Sequence, residues 1–301
     1  MDKHCASWFR LTFPILGLLA IAAGGGVFLG GLYQDTAYYR VIAVGQDLFS
    51  LTVVFPAFLM AALLAYRGSL RALFVWLGVV IYLTYTYAIA AFDNRFNALF
   101  LVYVALFGCS LYALIGVFLS LNKDEIKSRY TERTPVRAVS LYLGMLAILF
   151  YLTWLREIIP ALLSGTIPQS VQDSGTPTNA VHVLDMSWIL PALLITAVSL
   201  WRRHSLGYLL AGPLLSFIAL MASAVLFMVM SMNQAGYPVV VPQAVIFIAT
   251  LTLGIGLLIR YLRAFKATSC ARDARALPLV RGSAVPNEKT AFGTREGKAA
   301  S

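Results

Sequence analysis

The chain has 301 residues, of which 60% are hydrophobic and 12% are charged, with a formal net charge of +10. About a quarter of the residues of a soluble domain are charged, so this chain has more apolar surface than one aqueous core can bury. The composition therefore predicts an integral membrane protein, and without a basic face interleaved with aromatic residues it argues against nucleic-acid binding.

Eight apolar stretches follow one another along the chain. A helix needs roughly 20 apolar residues to cross a hydrocarbon core. The stretches cover residues 11–33, 48–66, 70–92, 97–121, 136–159, 186–201, 207–232 and 241–264, and the sixth could begin nearer Val181. We therefore expect an all-α polytopic membrane bundle of about eight transmembrane helices over residues 1–264.

The first stretch allows two interpretations. Lys3 and Arg10 precede an apolar run that contains Ala20-Ile21-Ala22, which resembles a cleavable signal peptide. The apolar run continues to Tyr33, which is long enough for a retained span. We favour retention, with Gly26 and Gly30 providing a groove for helix packing.

The basic residues alternate between the two ends of the predicted spans. If the N-terminus is cytoplasmic, 20 of the 23 Lys and Arg residues lie on the cytoplasmic side, and only Arg40, Arg95 and Arg156 lie outside. Lys and Arg are retained in cytoplasmic loops during insertion. The pattern predicts an even number of spans with both termini in the cytoplasm.

Two segments suggest an internal repeat. Residues 56–67 and 191–202 both begin with Pro-Ala and end with Arg, and a Ser-Leu pair follows each. Because four crossings return the chain to the same side, a duplication of four spans is possible. The match covers one helix and its loop, so the 4+4 repeat stays a hypothesis.

The remaining segments offer little chemistry. Residues 265–301 form a basic tail that we expect to be disordered and cytoplasmic. Cys5, Cys109 and Cys270 have no disulfide or zinc-ligand spacing. Three histidines and no known metal or dinucleotide motif lead us to expect no metal and no cofactor.

Polar residues collect near the predicted outer ends of the spans. Ionisable residues are costly near a bilayer unless they are paired, hydrated or turned into the bundle. We therefore predict a polar pocket open to the outside and formed by Asp47, Tyr85, Asn97, Arg156, Glu157, His182 and Asp185. His182 and Asp185 stand at i and i+3, so the carboxylate could orient the imidazole. Arg156 could neutralise Asp47, Asp185 or an anionic ligand.

Simpler explanations exist for each member of this set. Interfacial aromatic residues commonly form a membrane belt. Asp47 and Asp185 could cap helices. His182 could be an ordinary loop histidine.

Four segments carry a resemblance to a group of proteins. Residues 45–48, 83–88, 96–107 and 177–185 resemble uncharacterised bacterial multi-spanning membrane proteins, over roughly Tyr39 to Leu262. The resemblance implies a bacterial inner membrane and no assigned activity.

Three functions remain open at this point. The first is binding or transport of a small solute or ion through the outer pocket. The second is a noncatalytic membrane sensor or assembly partner. The third is a membrane-embedded enzyme that uses His182 and Asp185 as an acid-base pair. An enzyme is less expected than a noncatalytic protein, and the sequence gives no oligomeric state.

Overall fold

The structure is a computed structural model that describes residues 7–238 and 241–266. The described residues all belong to one compact unit that ends at Lys266. Residues 267–301 of the predicted tail lie outside the described residues. Eight helices in this part are long and apolar enough to span a membrane: α1 (Ser7–Phe28), α2 (Ala37–Tyr66), α3 (Leu70–Phe92), α4 (Phe100–Ser120), α5 (Val136–Ser164), α6 (Ala180–Trp201), α7 (Ser205–Gln234) and α8 (Val241–Arg263).

These helices confirm the predicted polytopic membrane bundle, and the described residues contain no strand. Three edges that were predicted without an alternative differ by five residues or more: the start of α2 and the ends of α1 and α5, and α5 continues to Ser164 rather than ending at residue 159. Helix α2 begins at Ala37 rather than at residue 48, because the Thr36 hydroxyl accepts a hydrogen bond from the backbone N–H of Tyr39 and caps it. Helix α1 ends at Phe28 rather than at residue 33, and the chain then turns through Gly31 in the left-handed region (φ 81°).

Helices α2 and α6 each contain a π-helical turn just before a proline. The turns cover Ser50–Val54 and Asp185–Ile189, and Pro56 and Pro191 follow in the first turn of regular helix. Proline lacks an N–H and its ring clashes with the carbonyl four residues earlier, so a widened turn accommodates it. The repeat suggested by the prolines therefore extends to a shared backbone irregularity.

Helices α3 and α7 cross at the centre of the bundle. At the crossing, a Cβ on Gly78 would lie 2.8 Å from the carbonyl oxygen of Pro213 and 2.3 Å from the Cβ of Ser216, so only glycine fits. Gly78 and Pro213 stand the same number of residues after Pro56 and Pro191. Equivalent positions of two repeats meet where a two-fold axis passes between them. The crossing therefore supports the 4+4 repeat.

The two ends of the bundle differ in charge. We call the end with connections 29–36, 93–99 and 165–179 the acidic end, and the end with connections 67–69, 121–135 and 202–204 the basic end. The basic end is closed by the ring of Tyr130, which packs against Tyr208, Tyr261 and Phe265 at centroid distances of 4.8–5.3 Å. Arg71 donates to the carbonyl of Phe265 at 2.6 Å and fixes this closure.

Candidate functional site

A cavity of about 600 Å³ opens at the acidic end between the two halves of the bundle. Its walls come mainly from α2, α3, α7 and the connection between α5 and α6. Single residues are added by the connection before α2 (Tyr33), by α4 (Tyr103), by α5 (Glu157) and by α6 (Val181). It reaches the surface at Gln169 and Asp173, which are both exposed. We call it the acidic cavity.

The acidic cavity is lined by carboxylates and phenols. No Lys, Arg or His is found among the described residues that line it. The acids are Asp47, Asp93, Glu157 and Asp173, and the phenols belong to Tyr33, Tyr38, Tyr39, Tyr85, Tyr87 and Tyr103. Ionised carboxylates in such a lining attract cations and repel anions.

Asp47 is the most enclosed acid of the cavity. Its side chain is 5% exposed and accepts a hydrogen bond from the Tyr33 hydroxyl. The carboxylate lies directly against α1 at Gly26, where a Cβ would be 1.7 Å from Asp47 Oδ2. Burial and the nearby Asp47 raise the pKa of Tyr33, which keeps its phenol protonated as a donor. Glycine in α1 and tyrosine in the following connection thus hold this acid in place.

The Tyr87 phenol in the cavity wall is left without a hydrogen-bond partner. The Tyr87 hydroxyl is buried and makes no hydrogen bond to any described residue. Its ring packs beside Tyr103, with centroids 6.1 Å apart. Buried hydroxyls are normally hydrogen-bonded, so an unpartnered one in a cavity wall indicates a place for a ligand or water.

The connection between α5 and α6 covers part of the acidic cavity. The backbone N–H of Ser170 donates to Glu157 Oε1 at 2.8 Å, and the Thr36 hydroxyl donates to the carbonyl of Asp173 at 3.2 Å. Asp93, at the end of α3, lies beneath this cover. Burial raises the pKa of Asp93, while a hydrogen bond from the backbone of Ala180 lowers it by a smaller amount.

The predicted pairing of His182 with Asp185 is not present. The Trp154 indole lies between them: its ring centroid is 4.5 Å from that of His182, and its Nε1 donates to Asp185 Oδ2 at 2.9 Å. His182 Nε2 instead faces Glu157 Oε2 at 3.7 Å. Asp185 Oδ1 accepts a hydrogen bond from the Tyr85 hydroxyl at 2.9 Å. The i and i+3 spacing puts both residues on one side of α6, where each meets a different partner.

The predicted set is therefore divided by the structure. Asp47, Tyr85 and Glu157 line the acidic cavity, whereas Asp185 lines a second cavity that shares Tyr85. Arg156 is exposed and lines neither, and within the described residues it forms no ion pair with Asp47 or Asp185. Asn97 lies in the turn before α4, where its Oδ1 accepts from the backbone N–H of Leu99 at 2.9 Å.

The sequence interpretation missed Tyr33 and Asp173 as members of the site. Both lie in connections between helices, where no hydrophobic period predicts which way a side chain points. In the part of the chain that the structure describes, no group of three or more His, Cys, Asp and Glu residues has the arrangement of a metal site.

Comparison with protein-family models, curated proteins and solved structures found no match for this chain. The resemblance to bacterial multi-spanning proteins therefore stays a prediction.

Proposed function

We propose that this protein binds a small cationic solute in the acidic cavity and moves it across a bacterial inner membrane. The observation that carries the proposal is the lining of four carboxylates and six phenols with no basic side chain among the described residues. Carboxylates pair with a cation directly, and aromatic faces attract it through their quadrupoles. The cavity volume is within the range of small-molecule sites.

The position of Asp47 supports a role in the membrane. It lies within the α2 span and is buried, yet no described Lys, Arg or His pairs with it. An acid inside a span is costly to keep and is by default a functional group. A cation that enters from the acidic end would provide the missing countercharge.

The architecture supports transport as well as binding. The cavity lies between two repeat-related halves, opens at the acidic end, and is separated from the basic end by the α3–α7 crossing and the Tyr130 ring cluster. A site between repeats that is open on one side is typical of alternating-access transporters. In our proposal the acidic end faces away from the cytoplasm and both termini lie inside.

Binding is tested with the purified full chain in phosphatidylcholine nanodiscs. Choline, putrescine and tetramethylammonium serve as cationic probes, and acetate and phosphate serve as anionic ones. We expect at least one cation and neither anion to raise the unfolding temperature saturably. Asp47→Asn should weaken the apparent affinity for that cation by about tenfold or more, because a charge-assisted contact is lost.

The matched control is Asp124→Asn, which removes an exposed acid in the short helix Lys123–Ser128 at the basic end. It should bind the probes as the unchanged protein does. Equal stabilisation by anions and cations, or full cation binding by Asp47→Asn, would refute the proposed function. Uptake of the bound cation into proteoliposomes then separates transport from binding alone.

A further inference from the structure

A second, smaller cavity of about 270 Å³ lies between α5, α6, α7 and α8. Most of its wall is apolar and includes the rings of Phe150 on α5 and Phe247 on α8. Tyr85 lines it and the acidic cavity alike. We call it the lateral cavity.

One acid faces this apolar space. Each Asp185 oxygen accepts one hydrogen bond, from the Tyr85 hydroxyl and from the Trp154 indole, both at 2.9 Å. A carboxylate has about four acceptor positions, so both oxygens keep further capacity. Within residues 7–238 and 241–266, no Lys, Arg or His forms an ion pair with Asp185. The acid is oriented by neutral donors and its charge is left for another group to balance.

We infer that the lateral cavity binds a hydrophobic ammonium ion, with its cationic head at Asp185 and its alkyl chain between α5 and α8. The rings of Trp154 and Tyr85 stand beside the carboxylate and stabilise a cation there. The apolar wall accepts the chain because burial of methylene groups is favourable. An anionic amphiphile is excluded by the charge of Asp185.

A comparison of the two repeats explains why this space exists. In the first half, α1 packs closely on α4 and on the residue before it, where a Cβ on Gly25 would lie 2.5 Å from Leu99 Cδ1. In the second half, the corresponding helices α5 and α8 are held apart. They meet through the rings of Phe150 and Phe247, 6.0 Å apart, and through the Tyr142 hydroxyl, which donates to the carbonyl of Thr250 at 2.7 Å. The lateral cavity is the gap between these helices on the acidic-end side of that hydrogen bond.

The gap is reached from the side of the bundle. Gln243 lines the cavity and is exposed, so the cavity extends to the surface of the described chain at the first turn of α8. Helix α8 has the smallest buried share of the eight spans. A ligand that partitions into lipid therefore meets this entrance directly. The acidic cavity, in contrast, opens between the connections at the end of the bundle.

The volume restricts the ligand further. The lateral cavity is slightly smaller than typical small-molecule sites, which begin near 300 Å³. It fits a compact head group with one short chain, and a phospholipid with two long chains is too large. Octylammonium is therefore a suitable probe, and octanoate is its control of similar length and opposite charge.

The inference does not rest on the proposed function, and separate variants test the two. In phosphatidylcholine nanodiscs, we expect octylammonium to raise the unfolding temperature of the full chain saturably and octanoate to have no such effect. Asp185→Asn should weaken the apparent affinity for octylammonium by about tenfold or more. Asp124→Asn, the exposed acid at the basic end, should leave it unchanged. If Asp47→Asn weakened the affinity for octylammonium and Asp185→Asn did not, the amine would be assigned to the acidic cavity and the inference overturned.

A second measurement uses the unchanged protein, so it does not depend on the folding of a variant. An octylammonium that carries a photoreactive diazirine on its last carbon is crosslinked in nanodiscs, and the labelled peptides are identified by mass spectrometry. Labels in α5 and α8 around Phe150 and Phe247, competed by unmodified octylammonium, are expected. Labels confined to α2, or competition by octanoate as strong as by octylammonium, would refute the site.

Discussion

Replacing Gly26 by alanine tests how Asp47 is held, because the added methyl group would occupy the place of the carboxylate. The new Cβ would lie 1.7 Å from Asp47 Oδ2 and 2.9 Å from the Tyr33 hydroxyl. Either α1 moves away or the Asp47 side chain leaves its position. Gly24→Ala is the matched control, since a Cβ there has no atom within 4 Å.

The expected cost has two parts. Overpacking of a filled interior costs about 1–3 kcal/mol. A displaced carboxylate also leaves the buried Tyr33 hydroxyl without its acceptor, which costs about 1–3 kcal/mol more. The gain in helix propensity from glycine to alanine is common to both variants and cancels. Gly26→Ala should therefore be less stable than Gly24→Ala by roughly 2–6 kcal/mol.

The assay is equilibrium unfolding by sodium dodecyl sulfate in mixed micelles, followed by circular dichroism. A third variant, Asp47→Ala, removes the carboxylate that the new methyl group would strike. In that background, the difference between the two glycine substitutions should shrink to less than half. Equal stability of Gly26→Ala and Gly24→Ala would show that Asp47 does not pack on α1.

Two further predictions concern pH and orientation. Because burial raises the pKa of Asp93, the folded state holds its proton more tightly than the unfolded state, so the free energy of unfolding should fall as pH rises from the ordinary aspartate pKa through the raised one. Asp93→Asn should remove this part of the pH dependence in the same unfolding assay, and an unchanged profile would contradict the assignment. For orientation, single cysteines are placed at Gln172 and Arg202, two exposed positions, in a background that lacks the three native cysteines. The cysteine at position 172 should react with an impermeant maleimide in intact cells, and the one at position 202 should not. Labelling at Arg202 in intact cells would invert the proposed topology.

The scaffold was predictable because it depends on composition along the chain. Hydrophobic length alone located eight spans, and the Pro-Ala segments at Pro56 and Pro191 indicated the repeat. The start of α2 was not predictable from hydropathy, since Arg40, Gln46 and Asp47 belong to a polar first part of the helix. A helix can carry these polar residues because Gln46 and Asp47 line a cavity between helices rather than face lipid.

The site was predictable only in its residue types. Asp47, Tyr85 and Glu157 were expected in one pocket, and they do line the same cavity. The rotation of each helix about its axis was not available from the sequence, and it decides which polar groups meet. It turns Arg156 outward while its neighbour Glu157 faces His182. It also inserts Trp154 between two residues whose spacing suggested direct contact.

The two halves share a backbone pattern but carry different side chains at equivalent positions. Counted from the prolines, Asp47 corresponds to His182 and Ser50 to Asp185, so the two acids are not equivalent positions. Both halves have a π turn that follows a buried polar side chain. In the first half this side chain is Asp47, which accepts a hydrogen bond from Tyr33, and in the second half it is His182, which lies beside Glu157. A duplication would account for the shared backbone irregularity and for a cavity between the halves. Asp47 lines the acidic cavity and Asp185 the lateral cavity, so separate substitutions at these two acids distinguish the two proposed sites.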